Sequence, residues 1–314
     1  MNNILYAVVP CYNEEEVLNE TAKRLFEKFE NLIKNKKIDN KSKIMFVDDG
    51  SKDKTWQIIE DLHKQNNIFV GVKLSRNKGH QNALLAGLTT AYKYADVTIS
   101  LDADLQDDIN AIDKMVDDYL NGSEIVYGVR CSRKTDSFFK RFTAQSFYKV
   151  MKKMGVDSVY NHADYRLMSK KAVQSLLEFD ETNLFLRGII PQIGYKSSIV
   201  EYERSERFAG ESKYPLKKML NFALDGITSF SIKPINLLLT LSCIFTILGF
   251  TSFVTTLVLT LTINISIMWP ILSAIFFSLG ILLFAIWLIG LYVGKNYIET
   301  KHRPKFFIEI ELKD

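Results

Sequence analysis

Val97-Thr98-Ile99-Ser100-Leu101-Asp102-Ala103-Asp104-Leu105-Gln106 is the stretch on which both the fold and the chemistry turn. A short apolar run ends in two carboxylates one residue apart, with an amide two residues further on. Read as a buried strand, its side chains alternate faces, so Asp102 and Asp104 are expected to leave its end on one side. Such a pair suits Mg²⁺ or Mn²⁺, which take hard oxygen ligands and complete their shell with water and substrate phosphate. Alone, a D-x-D pair more often marks a polar strand-to-loop junction. Its neighbours along the chain decide the matter.

Upstream, residues 4–9 read as a buried strand that runs into Pro10-Cys11-Tyr12-Asn13-Glu14, and a helical pattern follows over about 17–33. A second strand at 43–47 ends in Asp48-Asp49-Gly50-Ser51 before a helix at about 54–63. A third, 69–74, meets Ser75-Arg76-Asn77-Lys78-Gly79-His80 before a helix at about 81–94. After the opening stretch come a helix at 109–120, a strand at 124–129 and Arg130. Alternating strands and helices with short loops predict right-handed crossovers and a parallel sheet covered on both faces. Ligands of such sheets sit beyond the carboxyl ends of the strands, where all five polar clusters fall. Gly79, Gly122 and Gly155 read as turns or helix boundaries. No G-x-G-x-x-G follows the first strand and no G-x-x-x-x-G-K-[ST] occurs, which removes the main support for dinucleotide and P-loop chemistry. Strand-end carboxylates can accept from ribose and base, a metal can neutralise a diphosphate, and arginines can clamp it. That inventory describes a nucleotide diphosphate leaving group.

The chain has 314 residues and a net charge of +4, too small to argue for nucleic acid. Its mean hydropathy near zero averages two unlike parts. From Pro234 to Gly294 there is no Asp, Glu, Lys, Arg or His. As one helix this run would extend about 90 Å, roughly three bilayer cores of ~30 Å, so two crossings are expected, near 236–262 and 269–293. Lys213, Lys217, Lys218 and Lys233 precede it and Lys295, Lys301, Arg303 and Lys305 follow it. The positive-inside rule then puts the polar domain (1–213) and both termini in the cytoplasm. Residues 214–233 carry a helical apolar stripe and read as a juxtamembrane amphipathic segment, either interfacial or packed on the polar domain. The tail, 295–314, alternates over 305–312 like a strand added to a sheet edge or a neighbouring subunit. Residues 4–9 are too short and poorly flanked for a signal peptide. Cys11, Cys131 and Cys243 lack metal-type spacing and read as free thiols.

The segments Val9-Pro10-Cys11-Tyr12-Asn13-Glu14, Asp48-Asp49-Gly50-Ser51, Arg76-Asn77-Lys78-Gly79-His80 and Asp102-Ala103-Asp104-Leu105-Gln106-Asp107 together resemble the motifs of inverting GT-A (family 2) glycosyltransferases. Ala163-Asp164-Tyr165-Arg166-Leu167-Met168, Arg207-Phe208-Ala209-Gly210-Glu211-Ser212-Lys213-Tyr214 and the apolar hairpin resemble the bactoprenol (undecaprenyl-phosphate) glycosyltransferase and dolichol-phosphate mannose synthase branch. The resemblance implies a Rossmann-like GT-A domain with a mostly parallel sheet. It also implies transfer of one sugar, glucose or N-acetylglucosamine, from a UDP-sugar to undecaprenyl phosphate, with GDP-mannose as the alternative donor. A non-catalytic membrane scaffold is the rival of a different class. Carried over, Pro10, Tyr12, Glu14, Val47, Asp49, Asp102 and Ala103 would line the nucleotide-sugar pocket. Asp102, Asp104 and Gln106 would hold Mg²⁺ or Mn²⁺. Arg130, Arg207 and Lys213 would bind phosphates, and Asp164 with Arg166 would serve the reacting centre. A polyprenyl phosphate arrives ionised, so Asp164 is expected to orient groups and not to act as an obligatory base. The family's context implies a downstream flippase and a second glycosyltransferase, and allows a homo-oligomer. Two departures stand out: Asp108-Ile109-Asn110 replaces the usual prolines, and Ala163 stands where Gly is common. The Q-x-x-R-W signature of processive synthases is absent, which favours single-sugar transfer.

Overall fold

The computed structural model describes residues 3–131, 162–181, 185–203, 251, 254–256, 258–259 and 268–313. Arg207, Lys213, the 214–233 segment and nearly all of the expected 236–262 span lie outside the described residues.

Four strands, β1 (Leu5–Cys11), β2 (Lys43–Asp48), β3 (Phe69–Leu74) and β4 (Val97–Ser100), alternate with helices α1 (Leu18–Lys34), α2 (Thr55–Gln65) and α3 (His80–Ala91). They are followed by α4 (Ala111–Leu120), β5 (Ile125–Arg130), β6 (His162–Ser169), α5 (Lys170–Leu177), α6 (Leu186–Gln192), β7 (Ser197–Tyr202), α7 (Met268–Glu299) and β8 (Ile308–Leu312). The strands make one sheet in the order β7-β5-β6-β4-β1-β2-β3-β8. β4, β1, β2 and β3 are parallel neighbours, as the alternation predicts. The sheet as a whole is mixed, because β6 runs antiparallel between β4 and β5, and β8 runs antiparallel along β3.

Period-two alternation splits the core between the two faces of the sheet. Val9, Cys11 and Phe46 face α1, α2 and α4, whereas Val8, Val47 and Val72 face α3, α5 and α6. α1 buries Leu18, Thr21, Ala22, Leu25, Phe29 and Leu32, the 3–4 spacing of one helical face. Gly87 lets α3 lie close on the sheet: a Cβ there would overlap Val8 and come within 2.7 Å of Val47 Cγ2.

α7 is 32 residues long. Its described side chains include exposed Ile271, Ile275, Leu282, Phe284, Ile286, Trp287, Ile289 and Val293. Counted over described residues alone, no helix is long and apolar enough to cross a membrane.

Candidate active site

The carboxyl ends of β1 to β4 meet at one rim, and the loops there are tied to one another. Asp49 is buried, and its two oxygens accept from Lys78 N (2.7 Å) and Gly79 N (2.9 Å). Asp49, expected among the nucleoside acceptors, therefore holds the β3–α3 loop. Gly50 (φ +67°) sits against that loop, where a Cβ would meet Asn77 N at 2.6 Å. Asn13, itself left-handed at φ 53°, accepts from Lys52 N (2.9 Å) through Oδ1, and its own N–H donates to Ser51 Oγ (3.0 Å). Glu14 N donates to Thr55 Oγ1 (2.9 Å). Tyr12 and Glu14 are half-buried at this rim, and Pro10 is buried beside Val47 in the strand register.

Two expected pocket residues present no side chain to solvent. Val47 is fully buried under α3, and Ala103 is buried in the opposite core face. The strand pleat aims Val47 at the helix; Ala103 is held by its carbonyl, which accepts from Thr21 Oγ1 at 2.7 Å. Asp102 and Asp104 leave β4 by a different route from the one expected. β4 ends at Ser100, and the residues beyond it form a turn with Leu105 at φ 57°, so pleat alternation does not reach the carboxylates. A left-handed, buried leucine stores backbone strain beside the pair.

β6 brings Asp164 to the same place. Ser100 pairs with Arg166, and Ser100 Oγ donates to the Asp164 carbonyl at 2.6 Å. Beyond the end of β4, Asp102 comes near Asp164. Between them stands His80, at the start of α3, with Nε2 3.7 Å from Asp102 Oδ1 and 3.6 Å from Asp164 Oδ2. Asp164 also accepts from Arg166 Nη2 (2.5 Å), Arg187 Nη2 (2.9 Å) and Arg187 Nε (3.3 Å). Burial alone would raise its pKa, but Arg187, His80 and Arg166 hold it well below the usual carboxylate range. Burial likewise opposes the His80 charge, yet Asp164 and Asp102 keep its pKa above the ordinary value. Asp102 behaves oppositely: burial, against the pull of His80, and then Asp107, Asp164 and Asp104 push it up to about 6.

Arg130, expected on a phosphate, is paired behind the rim. Its Nη2 lies 3.3 Å from Asp107 Oδ1 and its Nε donates to Tyr202 Oη at 3.2 Å, while Tyr202 Oη donates to Asp107 at 2.5 Å. Tyr165 packs edge-on against Tyr202 and donates to the Asp108 carbonyl (3.0 Å). This brace fixes the loop after the D-A-D turn where family members often have prolines. A cavity of about 320 Å³ opens between α1 and residues Leu105 to Asn110, on the far side of that loop. It includes neither Asp102 nor Asp164, and its Lys28 already pairs with Asp113 (2.6 Å).

For a divalent cation, the donors at hand are Asp102 and Asp104, both half-buried, with Gln106 beside them; Asp104 Oδ1 accepts from Gln106 N at 3.2 Å. Among the described residues no group of three or more His, Cys, Asp or Glu is arranged around one point. Burial and the neighbouring carboxylates push up Asp102, and a bound cation would offset both, so these residues fit one that takes the rest of its shell from substrate and water.

The sequence profile of glycosyl transferase family 2 matches residues 6–177. The chain belongs to glycosyl transferase family 2. It is 50% identical to the glycosyltransferase YkoT of Bacillus subtilis over 317 residues, spanning 98% of this chain and 92% of that one. It is 37% identical to the bactoprenol glucosyl transferase of Shigella phage SfV over 307 residues, 97% of each chain. Among solved structures, glucosyl-3-phosphoglycerate synthase of Mycobacterium tuberculosis with Mn²⁺, UDP and phosphoglyceric acid aligns at a TM-score of 0.45 and 14% identity, over 72% of this chain and 76% of that one. A likeness that distant carries no ligand across. The mixed sheet, with its rim of strand-end carboxylates, is the GT-A arrangement expected of a family 2 glycosyltransferase. His80, Arg187, Asp107 and Tyr202 also stand at this candidate site, and the sequence assigned a role to none of them. His80 and Asp107 lie inside the motifs that carry the family resemblance, whereas Arg187 and Tyr202 sit in segments with no local pattern.

Proposed function

We propose that this glycosyltransferase moves one sugar, glucose or N-acetylglucosamine, from a UDP-sugar to undecaprenyl phosphate with inversion, for modification of a cell-surface glycan. The observation that carries the reading is Asp164. A general base works best with a pKa near the operating pH, and a carboxylate held low by two guanidiniums and an imidazole is a poor one. An acceptor that brings its own charge needs no such base, and a phosphomonoester, with a second pKa of about 6, is largely dianionic at pH 7. The bactoprenol glucosyl transferases related to this chain over nearly its whole length support the same acceptor.

An acceptor phosphate oxygen attacks C1 of the sugar, the bond from C1 to the diphosphate breaks, and the electron pair leaves with the UDP. Asp102, Asp104 and Gln106 would hold a divalent cation, which when bound would supply countercharge to the leaving diphosphate. Tyr12 offers a face for the base and Glu14 an acceptor for ribose or base, Asp49 holds the loop beneath them, and Asp164 orients the groups around C1. Arg130, Arg207 and Lys213 would contribute further countercharge; in Arg130's case the guanidinium would first leave Asp107. Residues 1–213 form the catalytic domain, and 214–233 lie along the inner leaflet. The run 234–294 crosses as a hairpin, with the catalytic rim and both flanks in the cytoplasm. The apolar side chains exposed along α7 support contact of this helix with lipid, and the basic residues flanking the run support the cytoplasmic side.

A panel of UDP- and GDP-sugars with undecaprenyl phosphate and Mn²⁺ or Mg²⁺, read by mass analysis of the lipid, tests the proposal. One hexose or N-acetylhexosamine added to the lipid from a UDP-sugar is expected. Product from GDP-mannose alone would replace the donor, and no turnover with any donor would leave the scaffold reading standing.

A further inference from the structure

Asp164 is one carboxylate between two guanidiniums that differ in what they can reach. Arg166 is 1% exposed and locked inside the sheet, whereas Arg187 is 28% exposed on the first turn of α6. Its backbone is fixed from both sides. Leu186 and Ile189 are fully buried, and Leu186 N donates to Gln81 Oε1 (3.1 Å), next to His80. Nε and Nη2 of Arg187 grip Asp164 as a fork, with Nη2 on the oxygen that His80 approaches. Counted together, Asp164, Arg166 and Arg187 carry one net positive charge, a few ångströms from the carboxylates of the D-A-D turn. A dianionic nucleophile could not come up to Asp164 if that carboxylate stood alone, so the local charge must be reversed for such an acceptor to approach. Of the two guanidiniums in the cluster, Arg187 is the one that does this from a partly exposed position.

We propose that Arg187, held in place by Asp164, binds the phosphate of the acceptor lipid. The proposal rests on the phosphomonoester acceptor argued above. Asp164 then acts through Arg187 as a positioning residue, keeping one edge of the guanidinium fixed while another meets phosphate oxygen. A planar fork suits this better than a lysine ammonium would.

The test uses the full chain in detergent, farnesyl phosphate as acceptor probe and the UDP-sugar that supports turnover. Arg187→Ala is expected to raise the acceptor KM, and weaken directly measured farnesyl phosphate binding, by about ten- to a hundredfold while the donor KM stays within about twofold. Arg187→Lys should recover part of the loss. Asp164→Asn should weaken farnesyl phosphate binding in the same direction, and the double variant should be no worse than the poorer single one. An unchanged acceptor KM in Arg187→Ala, or a rise confined to the donor KM, would overturn the assignment and leave the proposed transfer intact. Wild-type binding of farnesyl phosphate that is lost in Arg187→Ala, without sugar transfer from any donor, would uphold the assignment and overturn the transfer. Absence of wild-type farnesyl phosphate binding while undecaprenyl phosphate is still glycosylated would overturn the assignment alone, and absence of both binding and transfer would overturn both.

Discussion

Two carboxylates at this rim have been driven in opposite directions, and each predicts a different pH response. Asp164 is held below its ordinary pKa, so its ionic contacts stabilise the fold above about pH 4 and are lost as acid protonates it. At neutral pH its charge does not change. The kcat/KM of the wild type for the acceptor should therefore follow the titration of the free acceptor phosphate near pH 6, and Asp164→Asn should lower it by about a hundredfold or more without removing that limb. A rising limb that disappears in Asp164→Asn would restore the base role. Asp102, pushed up to about 6, holds a proton in the native state that the unfolded chain has already released. Its contribution to stability is thus greatest at the acid end and falls as pH rises from about 4 towards 6. A cation must displace that proton, so calorimetric titration with Mn²⁺ should show affinity climbing from pH 5 to about 6.5 and then levelling, with proton release at the lower pH.

At the scale of elements, Gly50 and Gly87 mark close approaches that leave no room for a Cβ. Gly50→Ala adds a Cβ at positive φ and against the backbone of Arg76 and Asn77; it should cost about 1–3 kcal/mol in denaturant unfolding and disturb the loop that Asp49 clamps. What could be read from the chain follows the same division. β1 to β5 and α1 to α4 were legible because apolar runs of strand length alternate with amphipathic helices, and parallel strands bring their carboxyl ends to one rim. β6 was not legible as a strand: His162-Ala163-Asp164-Tyr165-Arg166 carries charge through the middle of the sheet, tolerated because Arg166 and Asp164 pair within the strand. Its antiparallel insertion beside β4 depends on a register between Ser100 and Arg166 that no local pattern encodes. The motif residues were identifiable by type, but their roles were not, since Asp49 and Arg130 find partners within the protein. Arg187 was invisible for the same reason, as its meaning comes from a carboxylate on another element.

At the scale of the whole molecule, the apolar run and the sheet are joined at both of its flanks, and the membrane reading carries its own prediction. After an alkaline carbonate wash the full chain should stay with the membrane fraction; release into the supernatant would remove the hairpin. The second joint is β8. After α7 the chain returns to the sheet and lies along β3, pairing Gly71 with Leu312 and Leu74 with Ile308, while Ser75 N donates to the Phe307 carbonyl (3.1 Å). Deleting residues 306–313 should leave β3 as a bare edge, seen as concentration-dependent association by light scattering of the purified protein. The order in which a ribosome makes the chain gives this pairing a further meaning. β1 to β4 emerge early and can assemble among themselves, but β3 has no outer partner until the apolar run has been synthesised. During that interval the nascent domain exposes a strand edge, the condition under which misassembly is fastest. If the apolar run enters a membrane as proposed, its insertion and the closure of the sheet become successive stages of one maturation, and a chain stalled before residue 308 would carry most of its candidate site residues on an unfinished sheet.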